Sequence, residues 1–181
     1  MRRLAALFAL AAFAATTVPA LADPAGDLKA AFAKIMAVKS YRTSMTMANG
    51  MVANGTAVNP GRYDTTVNGM EIMMIGDTTY MHIGGKWSKS TASGGAAGEM
   101  PMAQKYAQIP PGAILHDLGM RTVAGEALHA YSVQRSADAP VVTIFIDGHG
   151  LPVRVEVPSK TGMTAMRFYD FNAPISINAP I

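Results

Sequence analysis

None of the 181 residues is a cysteine. That excludes a disulfide framework, a thiolate metal site and a thiol nucleophile. It also leaves no cysteine to carry a lipid once a leader is removed. Aromatic residues are few, at 7%, with one tryptophan. No run of Lys and Arg is present to track a phosphate backbone, so nucleic acid is not an expected partner. Catalytic signatures are missing as well: there is no G-x-S-x-G elbow, no phosphate-cradling glycine loop and no S-x-x-K. Glu71, Asp77, Glu99, Asp117, Glu126, Asp147 and Glu156 are scattered. His82, His116, His129 and His149 form no H-x-H or H-x-x-x-H pair. Neither a carboxylate dyad nor a zinc site is signalled, and the chain reads as a non-enzyme with no cofactor.

What is present begins with the leader. Arg2 and Arg3 precede an apolar run from Leu4 to Ala15, and Ala20-Leu21-Ala22 completes an A-x-A tripeptide. Basic, apolar and small-residue segments in that order predict a secretory signal peptide over residues 1–22, cleaved between Ala22 and Asp23. Its apolar core, about a dozen residues, is short of the ~20 that span a bilayer. The expected location is periplasmic or secreted. Residues 23–181 have the length of one domain, large enough to build a core without disulfides. Without Arg2 and Arg3, 13 basic residues face 12 acidic ones, which leaves the exported part almost neutral. The chain carries 14 methionines, so thioethers supply much of its large apolar volume.

Hydrophobic periodicity divides the exported part into one helix and many strands. Leu28, Ala31, Phe32, Ile35 and Met36 recur at spacings of three and four, which predicts a helix over 23–39 with one buried stripe. Asp23-Pro24 supplies a cap and an early proline. After Ser40 the period becomes two. Strands are expected over 41–47, 51–58, 62–67, 70–75, 78–83 and 86–88. Gly50, Asn59-Pro60-Gly61, Asn68-Gly69, Gly76-Asp77 and Gly84-Gly85 turn the chain between them. Residues 91–98 are rich in small side chains, and 99–108 reads as a short helix ended by Pro110-Pro111-Gly112. Further strands are expected over 120–123, 130–135, 141–146, 151–157 and 163–171. Sequence neighbours in such a meander become sheet neighbours. The class is α+β: an antiparallel sheet with helical segments against one face.

The dry faces of these strands define the candidate site. Met45, Met47, Met70, Ile72, Met74, Met81, Ile144, Val155, Met166 and Phe168 fall on apolar positions, and Trp87 is placed as an aromatic at the rim. Flexible, polarizable thioethers adapt to apolar guests of varied shape. The same residues also serve as ordinary core filling. The segment 91–108 reads either as a lid over this face or as a plain surface excursion.

The order Ser40-Tyr41, Asn59-Pro60-Gly61-Arg62-Tyr63, Ile75-Gly76-Asp77-Thr78-Thr79-Tyr80 and Lys86-Trp87 resembles the periplasmic lipoprotein carrier superfamily, LolA with its LppX and LprG relatives. Phe145-Ile146-Asp147 with Leu151-Pro152-Val153-Arg154, and Tyr169 through Ile175, extend the likeness over nearly all of residues 23–181. The resemblance implies a strongly curved, incomplete barrel closed by helices over an apolar cavity, and a non-enzymatic carrier of an acyl chain or of a lipoprotein's lipid. The expected form is a monomer, with transient contact with envelope membrane proteins. One position departs: where the LolA carrier has an arginine directly before this proline, here stands Asn59. Two alternatives remain open. Met45-x-Met47, Met81-His82 and Met100-x-Met102 offer soft ligands for Cu(I), and a protein-interaction module would need no small ligand.

Overall fold

In the computed structural model, residues 23–91 and 109–181 are described. The helix α1 (Pro24–Ala37) comes first. The Asp23 side chain accepts a hydrogen bond from the Gly26 amide at 3.1 Å, and Pro24 opens the first turn. The cap satisfies one of the orphan donors, and proline gives up none that the helix would use. Leu28, Ala31, Phe32 and Ile35 are buried on one stripe, as the spacing predicts.

Eleven strands follow among the described residues: β1 (Ser40–Thr46), β2 (Val52–Val58), β3 (Arg62–Val67), β4 (Met70–Ile75), β5 (Thr78–Ile83), β6 (Lys86–Ser90), β7 (Ile114–Val123), β8 (Glu126–Gln134), β9 (Val142–Ile146), β10 (Pro152–Ser159) and β11 (Gly162–Tyr169). They form one antiparallel sheet in the order β6-β5-β4-β3-β2-β1-β11-β10-β9-β8-β7. Each half is a meander of hairpins, and the halves join where β1 pairs with β11. The edges β6 and β7 do not meet, so the sheet is a curved half-barrel of α+β class rather than a closed barrel. The expected strands 62–67, 70–75 and 78–83 are found with the same bounds. β7 begins at Ile114 and β8 at Glu126, both earlier than the periodicity places them. A β-bulge at Asp117/Gly119 shifts the β7 register and breaks the alternation that the pattern relies on.

The core lies between α1 and the inner face of the sheet. One cluster joins the helix stripe to Tyr41, Ala57, Tyr131, Val133, Ile144, Val155, Met166 and Phe168. Burying Leu28, Phe32 and Ile35 contributes about 2 kcal/mol each. Polar ties fix the helix in place. Tyr131 Oη donates to Asp27 at 2.9 Å, and Lys34 Nζ donates to the His149 carbonyl at 2.8 Å. Asn59 Nδ2 donates to the carbonyls of Ile35 and Val38, at 3.1 and 2.8 Å, closing the C-terminal end of the helix.

The outer face is less wet than strict alternation predicts. Met73 and Tyr80, on its side of β4 and β5, are buried beneath Ile177. After β11 the chain runs without regular structure across the outer face. It is pinned by Ser40 Oγ donating to the Ala173 carbonyl (2.6 Å) and Arg62 Nη1 donating to the Ile177 carbonyl (2.6 Å). A second outer cluster forms from Leu128, Ala130 and Phe145 with Val153. Strict period-two alternation would put Val153 on the same face as Val155. A bulge between Pro152 and Arg154 turns it to the other side.

No helix among the described residues is long and apolar enough to cross a membrane. The expected signal peptide and the expected lid at 91–108 lie outside the described residues, except for residue 91.

Candidate functional site: the concave face

Cross-strand register fixes which side chains share the inner face, because directly opposed residues project to the same side. One row runs Met45, Ala53, Val67, Met70. The next runs Thr43, Gly55, Thr65, Ile72, Met81. A third runs Tyr41, Ala57, Tyr63, Met74, Thr79. Across β11, β10, β9 and β8, Met45 continues into Met166, Val155, Ile144 and Tyr131.

The expected site residues therefore divide into two groups on one surface. Ile144, Val155, Met166 and Phe168 are buried, from 1 to 8% exposed, and pack in the same cluster as α1. Met45, Met70, Ile72, Met74 and Met81 are only partly buried. The reason lies in the placement of the helix, which packs on β7 and β10 on the other side of the β1–β11 seam. On the β1–β5 side the apolar side chains of that face are only half-buried.

Two residues of the expected set stand apart. Met47 lies one residue beyond the end of β1, where its amide donates to the Met51 carbonyl at 2.8 Å at the turn. Trp87 is on the outer face: it pairs with His82, and the two rings stack at 4.8 Å. The residue that shares the inner face with Met81 is Ser88.

A further feature escapes a search for large apolar residues. β2 presents only Ala53, Gly55 and Ala57 to the inner face, between Tyr41 and Met45 on one side and Tyr63 and Val67 on the other. A strand without bulk between two strands with bulk leaves a shallow trough along β2, partly filled by its neighbours: Ala53 and Ala57 are buried, and the hydroxyls of Thr43 and Thr65 occupy the space beside Gly55. Its signal in the sequence was the alternation of small residues in Val52-Ala53-Asn54-Gly55-Thr56-Ala57-Val58, which reads as a weak strand when judged by hydrophobicity alone.

Electrostatically the trough is quiet. Its polar groups are the hydroxyls of Thr43, Thr65, Tyr41 and Tyr63. Burial pushes the Tyr41 phenol well above its ordinary range, with Tyr63 adding to the effect, and burial raises Tyr63 as well. Both stay neutral at physiological pH. Carboxylates stand on the other side: Asp64 and Glu71 are outer-face residues, and desolvation with the nearby Glu71 raises the Asp64 carboxyl. Among the described residues no group of three or more His, Asp or Glu is placed to hold a metal ion. Met45 packs against the apolar core, and Met47 lies one residue beyond the end of β1. Met100 and Met102 lie outside the described residues.

Among the described residues the trough is lined by apolar side chains and neutral hydroxyls, a chemistry that suits a hydrocarbon guest.

The chain matches no protein-family model and no curated protein sequence. Solved structures do match. Lipoprotein LppX of Mycobacterium tuberculosis superposes with a TM-score of 0.64 at 15% identity, over 85% of this chain and 97% of that one. LprF of Mycobacterium bovis gives 0.56 at 14% identity, over 87% and 96%. The MucA/MucB complex of Pseudomonas aeruginosa gives 0.56 at 16%, and there the match covers 87% of this chain but only 59% of the other. The fold is thus the LppX-like half-barrel that the resemblance implied.

Proposed function

We propose that this chain is an exported, non-enzymatic carrier or binder that holds an acyl chain, free or attached to a lipid or lipoprotein, in the trough of its concave face. The observation that carries the reading is the β1–β5 side of that face, where Met45, Met70, Ile72, Met74 and Met81 are only half-buried around the small-residue strand β2. Isolated exposed apolar side chains are ordinary, whereas a contiguous concave set marks a binding surface. Affinity comes from hydrocarbon burial at ~0.8 kcal/mol per CH₂, so a single long chain is held without any polar motif. The likeness in fold to a protein described as a lipoprotein supports a place in envelope lipid traffic. The likeness to MucB, solved bound to MucA, supports a protein partner at some step. The working form is a monomer in the periplasm or outside the cell, released by cleavage near Ala22. It needs no cofactor and has no role for nucleic acid.

Native mass spectrometry tests this directly. The delipidated protein, re-exposed to envelope lipid extract, is expected to gain the mass of one lipid. Ala53→Phe fills the trough with a ring at the cost of about 1–3 kcal/mol of overpacking. It should keep the circular dichroism spectrum and reduce lipid occupancy at least tenfold. Full occupancy in this variant, or no lipid uptake by the parent protein, would sink the proposal.

A further inference from the structure

The outer face carries a second concavity that the carrier reading does not use. It is a groove of about 220 Å³ at the end of β11, between the β7–β8 hairpin and β10. Its apolar wall includes Val123, Leu128 and Val153, and Tyr169 stands beside them. Arg154 of β10 and Arg167 of β11 line the same groove, in direct cross-strand register.

That register is costly. Like charges directly opposed across two strands repel each other, and each arginine has a different degree of relief. Arg154 Nε donates to Glu156 Oε1 at 2.7 Å, in a pair whose side chains are about three-quarters buried. Arg42, next on the outer face along β1, is paired with Asp170 at 3.4 Å. Arg167 has no ion pair or hydrogen bond among the described residues and is exposed. The remaining charge on the lining is Glu126, on the β8 side of the groove. The groove thus has an unanswered guanidinium next to a half-answered one, with hydrocarbon beside them.

From this placement we infer that the groove is a binding site for one acidic group, a phosphate or carboxylate, carried on a small apolar moiety. A planar guanidinium donates two parallel N–H bonds to such a group, and an anion between Arg154 and Arg167 turns their repulsion into shared attraction. The volume is below that of pockets taking drug-sized ligands, so the site fits a headgroup-sized guest and not an acyl chain. The site is independent of the trough, since it lies on the other face of the sheet.

The shared chemistry has two sources, a phospholipid headgroup at a membrane surface or a soluble anion. Phenyl phosphate serves as the soluble probe, with benzyl alcohol as the uncharged control. Titration of the isotope-labelled protein, followed by NMR, is expected to shift resonances of Arg154, Arg167, Leu128 and Val153 with phenyl phosphate and not with benzyl alcohol. Arg167→Gln should weaken this at least tenfold, and Arg167→Lys should restore part of it. Exposed on a strand, Arg167 tolerates both changes, which circular dichroism verifies. Sedimentation with vesicles of phosphatidylcholine, with and without phosphatidylglycerol, separates the sources. Phosphatidylglycerol-dependent binding lost in Arg167→Gln assigns the headgroup, and phenyl phosphate binding without it assigns a soluble anion. Shifts spread over all basic residues, or unchanged in Arg167→Gln, overturn the inference. Because Ala53→Phe leaves the outer face alone, it should leave these shifts intact whether or not the trough carries lipid.

Discussion

Asn59 gains its importance from the two bonds it gives away. Its side-chain amide closes the last turn of α1 by donating to Ile35 and Val38, groups that a helix end otherwise leaves unpaired. Its own amide N–H donates to the Lys39 carbonyl at 2.9 Å, which ties the helix exit to the β2–β3 turn. Asn59→Ala removes both side-chain bonds and is expected to cost about 1–2 kcal/mol, a fall in Tm of roughly 2–8 °C for a chain of this size; differential scanning calorimetry reads it. The position that departs from the LolA pattern is thus occupied by a helix clamp. Asp64 acts in the opposite direction. One of its carboxylate oxygens is buried without a hydrogen-bond partner, and desolvation followed by repulsion from Glu71 raises its pKa. A carboxyl raised in the folded state costs stability where it is ionised in both states, and the cost fades as pH falls through the folded value toward the unfolded one. Asp64→Asn should therefore raise Tm at pH 7, with the gain vanishing below about pH 4. Melting curves across pH 3.5–8 decide it, and a gain that grows on acidification would refute this account.

At the scale of elements, the C-terminal segment does the work of a missing layer. Ile177 is 4% exposed and packs on Met73 and Tyr80, with Val58, Ile75 and Trp87 around it. Ile177→Ala should destabilise by about 2 kcal/mol or more, at the lower end of buried truncations because the segment can settle inward. Trp87 fluorescence should shift to longer wavelength as water reaches the cluster. Neither effect was visible in the sequence, where Met73 sat on the wet side of a strand and the last ten residues had no period. The helix and the hairpins β3 to β5 were legible, because Asn-Gly and Gly-Asp turns frame clean period-two runs. What hid the rest was local physics that alternation does not encode. Bulges at Asp117/Gly119 and Pro152/Arg154 moved Leu118 and Val153 to the outer cluster. Of the expected site, Met45, Met70, Ile72, Met74 and Met81 do share one face. Trp87 failed to join them because a two-residue turn fixes its register opposite His82. The trough itself was missed, since a search for apolar bulk passes over Ala53, Gly55 and Ala57.

For the molecule as a whole, an open sheet of eleven strands has two edges that could recruit strands from other copies. Each is defended differently. β6 is five residues long and carries Lys86 and Lys89, on opposite faces. β7 is ten residues long and exposes Ile114 and Met120, but its bulge places Gly119 at φ +69, where the edge departs from regular pairing. A charged edge strand resists strand addition because pairing would bury lysine beside lysine. Lys86→Thr with Lys89→Thr should leave the fold intact and produce concentration-dependent association. Dynamic light scattering would detect it, and a variant that stays monomeric at high concentration would show that the charges are dispensable.

The pinned C-terminal segment has a mechanical consequence. It leaves β11, passes behind the seam with β1, and seats Ile177 on the back of β4 and β5. The strands that wall the trough are consequently laced from behind to the strand on which the core is built, like a bow held by its string. Flattening this part of the sheet to admit a thicker guest would draw Ile177 out of its seat and strain the Arg62 bond. The curvature of the concave face is therefore braced from the opposite side of the sheet.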